Sequence, residues 1–128
     1  MAGAEAGRLA GRRVLVVEDE YYIAADIRRA LEAVAAIVVG PTGAVAVALE
    51  LAGATLDAAI LDVHLDGGDV YPVADRLSEG AVPYLFLTGY DGWALPERFR
   101  DAPRLAKPVA AEQVIDAAGA LLAGGNAG

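Results

Sequence analysis

Residues 14–20 read Val14-Leu-Val-Val-Glu-Asp-Glu20, four apolar side chains running without interruption into three carboxylates. A strand with one solvated face alternates polar and apolar residues, whereas an unbroken apolar run is what a strand buried on both faces requires. Burial on both faces implies helices on both sides of a parallel sheet. The same grammar recurs outward along the chain. After Glu20, Ile23, Ile27, Ala30, Leu31 and Val34 fall on one helical face. Ile37 to Val39 reads as a second strand stopped by Gly40-Pro41, and Thr42 is placed to cap a helix through Leu51. Ala58 to Leu61 is a third uncharged run, followed by a Gly67-Gly68 turn and a helix capped by Asp69 that reaches about Ser78. Pro83 opens a fourth strand, Tyr84 to Leu87, and Leu105-Ala106 gives a short fifth before a last helix, Ala111 to Leu122. Between Thr88 and Pro103, Gly89, Gly92, Pro96 and Pro103 leave room for no more than one helical turn. The fold class is therefore α/β, a five-stranded parallel sheet with helices on both faces and the fourth helix short or absent.

Composition bounds the rest. A chain of 128 residues, 56% apolar, is one domain with an ordinary core. It has no cysteine and one histidine, so disulfides and a zinc site of Cys and His are excluded. The net charge of −8 disfavours DNA and anionic membrane surfaces. The uncharged stretch Ala33 to Leu49 is broken by Gly40, Pro41 and Gly43 and is not a membrane span, and Met1 to Arg13 lacks the apolar core of a signal peptide. A cytoplasmic protein is expected, with flexible tails at 1–11 and 124–128 around a folded domain at 12–123.

The polar residues cluster where the strands end. Glu18 and Asp19 follow the first strand, Asp62 the third, Thr88 the fourth and Lys107 the fifth. In an open α/β sheet these positions converge on one crevice. Carboxylates gathered so closely repel unless a cation neutralises them, and a hard divalent ion such as Mg2+ suits them. A lysine and a hydroxyl beside that ion suit the oxygens of a phosphoryl group.

Four blocks, Val14-Leu-Val-Val-Glu-Asp-Glu20, Ala59-Ile-Leu-Asp-Val-His-Leu-Asp-Gly-Gly68, Leu87-Thr-Gly-Tyr90 and Ala106-Lys-Pro108, together resemble the receiver domain of two-component response regulators. Phe86-Leu-Thr-Gly-Tyr90 further resembles the FAT GUY subgroup, often stand-alone receivers served by histidine kinases of the HWE or related type. The resemblance implies a flavodoxin-like (βα)5 fold with strand order 2-1-3-4-5. It implies Asp62 as phosphoacceptor, attacking a kinase phosphohistidine or a small acyl phosphate. Asp19, Asp62 and the backbone carbonyl of His64 would bind Mg2+ directly and Glu18 through water. Thr88 and Lys107 would hold phosphoryl oxygens, and Lys107-Pro108 would be cis. The implied partners are a histidine kinase and a downstream protein, with no DNA or membrane contact. A homodimer is left open at this point, through the helix after Glu20 or the last helix, Ala111 to Leu122.

One departure stands out. Receivers carry an aromatic switch residue three positions before the lysine, and Arg104 occupies that place here. Tyr90 and Arg104 are the candidates to replace it. No output domain is expected beyond the last helix. The enzymatic rival is an Mg-dependent phosphatase with an aspartate nucleophile, but its second acid-base aspartate would fall at His64. A phosphorylation-independent pseudo-receiver is the other alternative, opposed by the intact set Asp19, Asp62, Thr88 and Lys107. Asp62 to Gly67 mimics the start of a calcium loop, but its twelfth position is Val73 where a glutamate is needed. Asp66 and Asp69 are expected to be solvated or capping, Tyr21 and Tyr22 to lie on the first helix, and Trp93 to anchor a loop.

Overall fold

A computed structural model describes residues 7–65, 67–89 and 95–123. Five parallel strands form the main sheet: β1 (Arg13–Val17), β2 (Ile37–Thr42), β3 (Ala58–Asp62), β6 (Tyr84–Thr88) and β7 (Arg104–Ala106), in the order β2-β1-β3-β6-β7. Counting only these strands, the order is 2-1-3-4-5. Two short strands, β4 (His64–Leu65) and β5 (Gly68–Asp69), pair as a separate antiparallel hairpin. The helices are α1 (Tyr21–Ala33), α2 (Val45–Leu51), α3 (Tyr71–Glu79) and α4 (Ala111–Leu121).

The strand residues divide between two cores with a period of two, as a pleated strand demands. Val14, Val16, Ala58, Ile60, Leu85 and Leu87 face Ile27 and Leu31 of α1 and Val114 and Ala118 of α4. Leu15, Val17, Ala59, Leu61 and Phe86 face Ala48 of α2 and Val73, Ala74 and Leu77 of α3. This double burial is why β1 carries no charge after its first residue, Arg13, β3 none before its last, Asp62, and β6 none at all. A charged side chain on either face would lie in apolar surroundings without water.

Four local features differ from the sequence-based expectation. Strand β2 does not stop at Val39 but continues through Gly40 and Pro41 to Thr42, with a register irregularity against β1 between Leu15 and Val17. As an edge strand it tolerates a proline with no ladder hydrogen bond lost, and Gly40 takes up the irregularity at φ 95°. Thr42 is not the cap of α2, because Ala44 holds that position and donates its N–H to Thr42 Oγ1 at 3.1 Å. Asp69 is not the cap of α3 either. It pairs with His64 in the hairpin, and α3 begins after Val70, whose N–H is held by the Val63 carbonyl at 3.2 Å. Finally, the folded domain starts before residue 12. Leu9 is fully buried in the α1/α4 core, and the Gly11 N–H donates to the Ala35 carbonyl at 2.8 Å.

The connection from β6 to β7 holds no fourth long helix among its described residues, only the 3-10 turn Glu97–Phe99. That turn is held from inside by Phe99, which is 3% exposed, stacks on Tyr71 at 5.4 Å and meets Phe86 edge-on at 5.3 Å. From outside, Arg98 donates Nε and Nη2 to the two carboxylate oxygens of Asp75 on α3, at 3.0 and 2.9 Å.

Candidate functional site

Strands β1, β3, β6 and β7 run parallel, so the residues at their carboxyl ends meet at one edge of the sheet. The register Asp62↔Leu87 and Thr88↔Ala106 brings Asp62, Thr88 and the residue after β7, Lys107, side by side. The Lys107 N–H donates to the Thr88 carbonyl at 2.7 Å, which fixes where the lysine leaves the sheet. Its ammonium then reaches across the edge, 2.9 Å from Glu18 Oε1 and 3.2 Å from Asp62 Oδ2. That Lys107 reaches both Glu18 and Asp62 follows only from the folded geometry.

Glu18, Asp62 and Thr88 are buried, at 2%, 5% and 3% exposure. The Glu20 N–H donates to Glu18 Oε2 at 3.0 Å and turns this carboxylate inward. Burial dominates its ionisation and raises its pKa from the ordinary 4.5 to about 7, against the lowering effect of the Glu20 N–H and of Lys107. Burial also raises the Asp62 carboxyl, with Glu18 and Lys107 acting in the opposite direction. Burial alone would lower the Lys107 ammonium, but its hydrogen bonding and charge contact with Glu18, followed by Asp62, raise it. The Thr88 hydroxyl makes only a long contact, 3.5 Å, to the Leu105 carbonyl.

Glu18, Asp19 and Asp62 each offer an oxygen within 4.8 Å of the others. Glu18 Oε1 is buried out of reach of water and faces the Lys107 ammonium at 2.9 Å. An acceptor left in that state, among hard oxygen donors, fits a cation. A cleft of about 480 Å³ opens beside it, bordered by Asp19, Tyr21, Arg28, Pro41 and Gly43.

The remaining sequence-predicted residues fall as follows. Lys107-Pro108 is cis, and so is Gly40-Pro41, which was not anticipated. His64 starts β4 with its side chain exposed and Nδ1 3.7 Å from Asp69 Oδ1. Arg104 does not point at the carboxylates. Its guanidinium donates to the carbonyls of Phe99, Arg100 and Ala102 and so closes the 3-10 turn from below. Tyr21 and Tyr22 lie exposed at the start of α1, their rings edge-to-face at 5.3 Å. Tyr90, Asp66 and Trp93 lie outside the described residues.

No protein-family model and no curated protein matches the sequence. Solved structures do. The chain is similar to SdrG from Sphingomonas melonis Fr1, at 39% identity over 91% of this chain and 98% of that one, with a TM-score of 0.74. It is similar to the response regulator PhyR from Brucella abortus at 26% identity, covering 96% of this chain and 52% of that one, with a TM-score of 0.75. A response regulator receiver protein from Sinorhizobium medicae WSM419, 24% identical over 88% of this chain and 95% of that one, shares the fold at a TM-score of 0.76. An acid pocket at the carboxyl edge of a 2-1-3-4-5 sheet, and a relative 39% identical along nearly the whole of both chains, lead to one assignment: this chain belongs to the receiver domains of response regulators.

Proposed function

We propose that the chain is a phosphoacceptor in two-component signalling, taking a phosphoryl group onto Asp62 from a histidine kinase and passing the signal on as a change of its own surface. The observation that carries this reading is Asp62 itself: a buried carboxylate at the end of β3, 3.2 Å from Lys107 and beside Glu18, Asp19 and Thr88. An Asp62 oxygen attacks the phosphorus of a phosphohistidine or acyl phosphate, the bond from phosphorus to the leaving nitrogen or oxygen breaks, and the leaving group departs with its electron pair. Lys107 holds one phosphoryl oxygen and the Thr88 hydroxyl donates to another. Glu18, Asp19, Asp62 and the His64 carbonyl would hold Mg2+, which when bound supplies charge neutralisation at the transferring group. These roles make the chain a self-modifying signalling domain and not a dedicated enzyme, acting in the cytoplasm, where the phosphohistidine donor is made.

Phe86-Leu-Thr-Gly-Tyr90 supports placement in the FAT GUY subgroup and a kinase of the HWE or related type. A BeF3-activated conformation is known for SdrG, to which this chain is 41% identical over 88% of its length. Beryllofluoride mimics an acyl phosphate on a carboxylate and is the natural probe here. Incubation with Mg2+ and a small acyl phosphate is expected to give an acid-stable, base-labile adduct that adds one phosphoryl mass and is absent in Asp62→Asn. No adduct, or an adduct that persists in Asp62→Asn, overturns the reading, and rapid turnover of unrelated phosphomonoesters would turn it toward a phosphatase.

A further inference from the structure

Gly43 lies in the loop between β2 and α2 and was read in the sequence only as a breaker. In the fold this loop crosses directly over Asp19. A Cβ built on Gly43 would stand 2.6 Å from Asp19 Cβ and 2.7 Å from Asp19 Cα, closer than a Cβ comes to atoms it is not bonded to. The obstruction is backbone and Cβ, not the far end of a flexible side chain, so no rotamer change relieves it.

One of the two segments must yield, and the loop is held on both sides. Before Gly43, the Thr42 carbonyl accepts the Glu18 N–H at 2.9 Å, tying the loop to the residue next to Asp19. After it, the Ala44 N–H is held by Thr42 Oγ1, and α2 is seated by the fully buried Ala48. Asp19 sits between Glu18, whose N–H this loop holds, and Glu20, whose carbonyl accepts the Ala24 N–H at 2.9 Å, so a shift at the contact is passed to it from either side. Its displacement moves one of three carboxylates whose oxygens lie within 4.8 Å of one another.

We infer that Gly43 is the positioning residue for Asp19. Its missing side chain lets the loop rest on the Asp19 backbone and hold that carboxylate in register with Glu18 and Asp62 for a divalent cation. The inference rests on the Mg2+ reading of this site.

The test is calorimetric titration with Mg2+ of the native chain, Gly43→Ala and the control Gly7→Ala, whose added methyl meets nothing within 4 Å. Gly43→Ala is expected to bind Mg2+ at least tenfold more weakly while still unfolding cooperatively in EDTA, at a lower melting temperature than the native chain. Its phosphorylation by an acyl phosphate should need correspondingly more Mg2+ but approach the native rate at saturation. In an Asp19→Asn background, adding Gly43→Ala should cost no further affinity. Native-like Mg2+ affinity in Gly43→Ala, or a further tenfold loss in the Asp19→Asn background, overturns the inference while leaving the metal reading standing. A native chain that binds no Mg2+ removes that reading and the inference together. If Gly43→Ala does not fold, amide shifts of the native chain decide: the Gly43 signal must follow Mg2+ with the midpoint of Asp19, and a Gly43 signal that stays still overturns the inference.

Discussion

Lys107 has two buried carboxylates to satisfy, and its ammonium is the cation shared between them. Lys107→Ala leaves Glu18 and Asp62 buried without that partner. The variant is expected to lose about 3 kcal/mol in EDTA near pH 8, read by urea unfolding, because an uncompensated buried charge costs far more than an exposed one. Mg2+ should restore part of the loss. The pH dependence follows from Glu18. Its carboxyl pKa is about 7 in the fold against the ordinary 4.5, so between those values the folded chain holds more proton than the unfolded one. Stability from this group is fully present below the lower value and is lost as pH rises through the upper one. In EDTA, therefore, the melting temperature should fall between about pH 5 and about pH 7.5, and Glu18→Gln should flatten that slope. The same proton competes with a cation, so Mg2+ affinity should weaken as pH falls below about 7.

At the level of elements, the 3-10 turn between β6 and β7 is held by an aromatic core and by Arg104. Phe99→Ala removes a ring packed among Tyr71, Tyr84 and Phe86 and is expected to cost about 3 kcal/mol in urea unfolding, as other deletions of buried aromatic side chains do. Arg104→Ala frees three carbonyls. It should raise amide exchange of residues 99–102 well before it lowers global stability, because the loss is confined to one turn. What the sequence could reveal follows the same physics. Strands β1, β3 and β6 were legible because burial on two faces forbids charge, and Glu18, Asp19, Asp62, Thr88 and Lys107 because each stands just past the end of such a run. The continuation of β2 through Gly40 and Pro41 was not, since an edge strand imposes no rule on its open side. Two-residue strands such as β4 and β5 carry no period, and Leu9 is a single apolar residue among glycine, alanine and arginine. The close approach of Gly43 to Asp19 joins segments far apart in the chain and leaves no local trace.

Over the whole molecule, the charge of −8 is uneven. Three of its carboxylates, Glu18, Asp19 and Asp62, converge at one edge, and Lys107 reaches two of them. A cation that binds there binds the folded chain alone, so at a hundred times its dissociation constant Mg2+ should stabilise the protein by about 2.7 kcal/mol. A melting scan with and without Mg2+ checks this, and Asp62→Asn should shrink the gain. Among the described residues no helix is long and apolar enough to cross a membrane. Strand β7 is an outer strand of the sheet, bonded to β6 alone, and it is three residues long. Arg104 at its start grips the turn, and Lys107 just past its end grips the acid pocket. Three residues of one outer strand thus join the two grips, so the acid pocket and the aromatic turn hang from the same short piece of backbone.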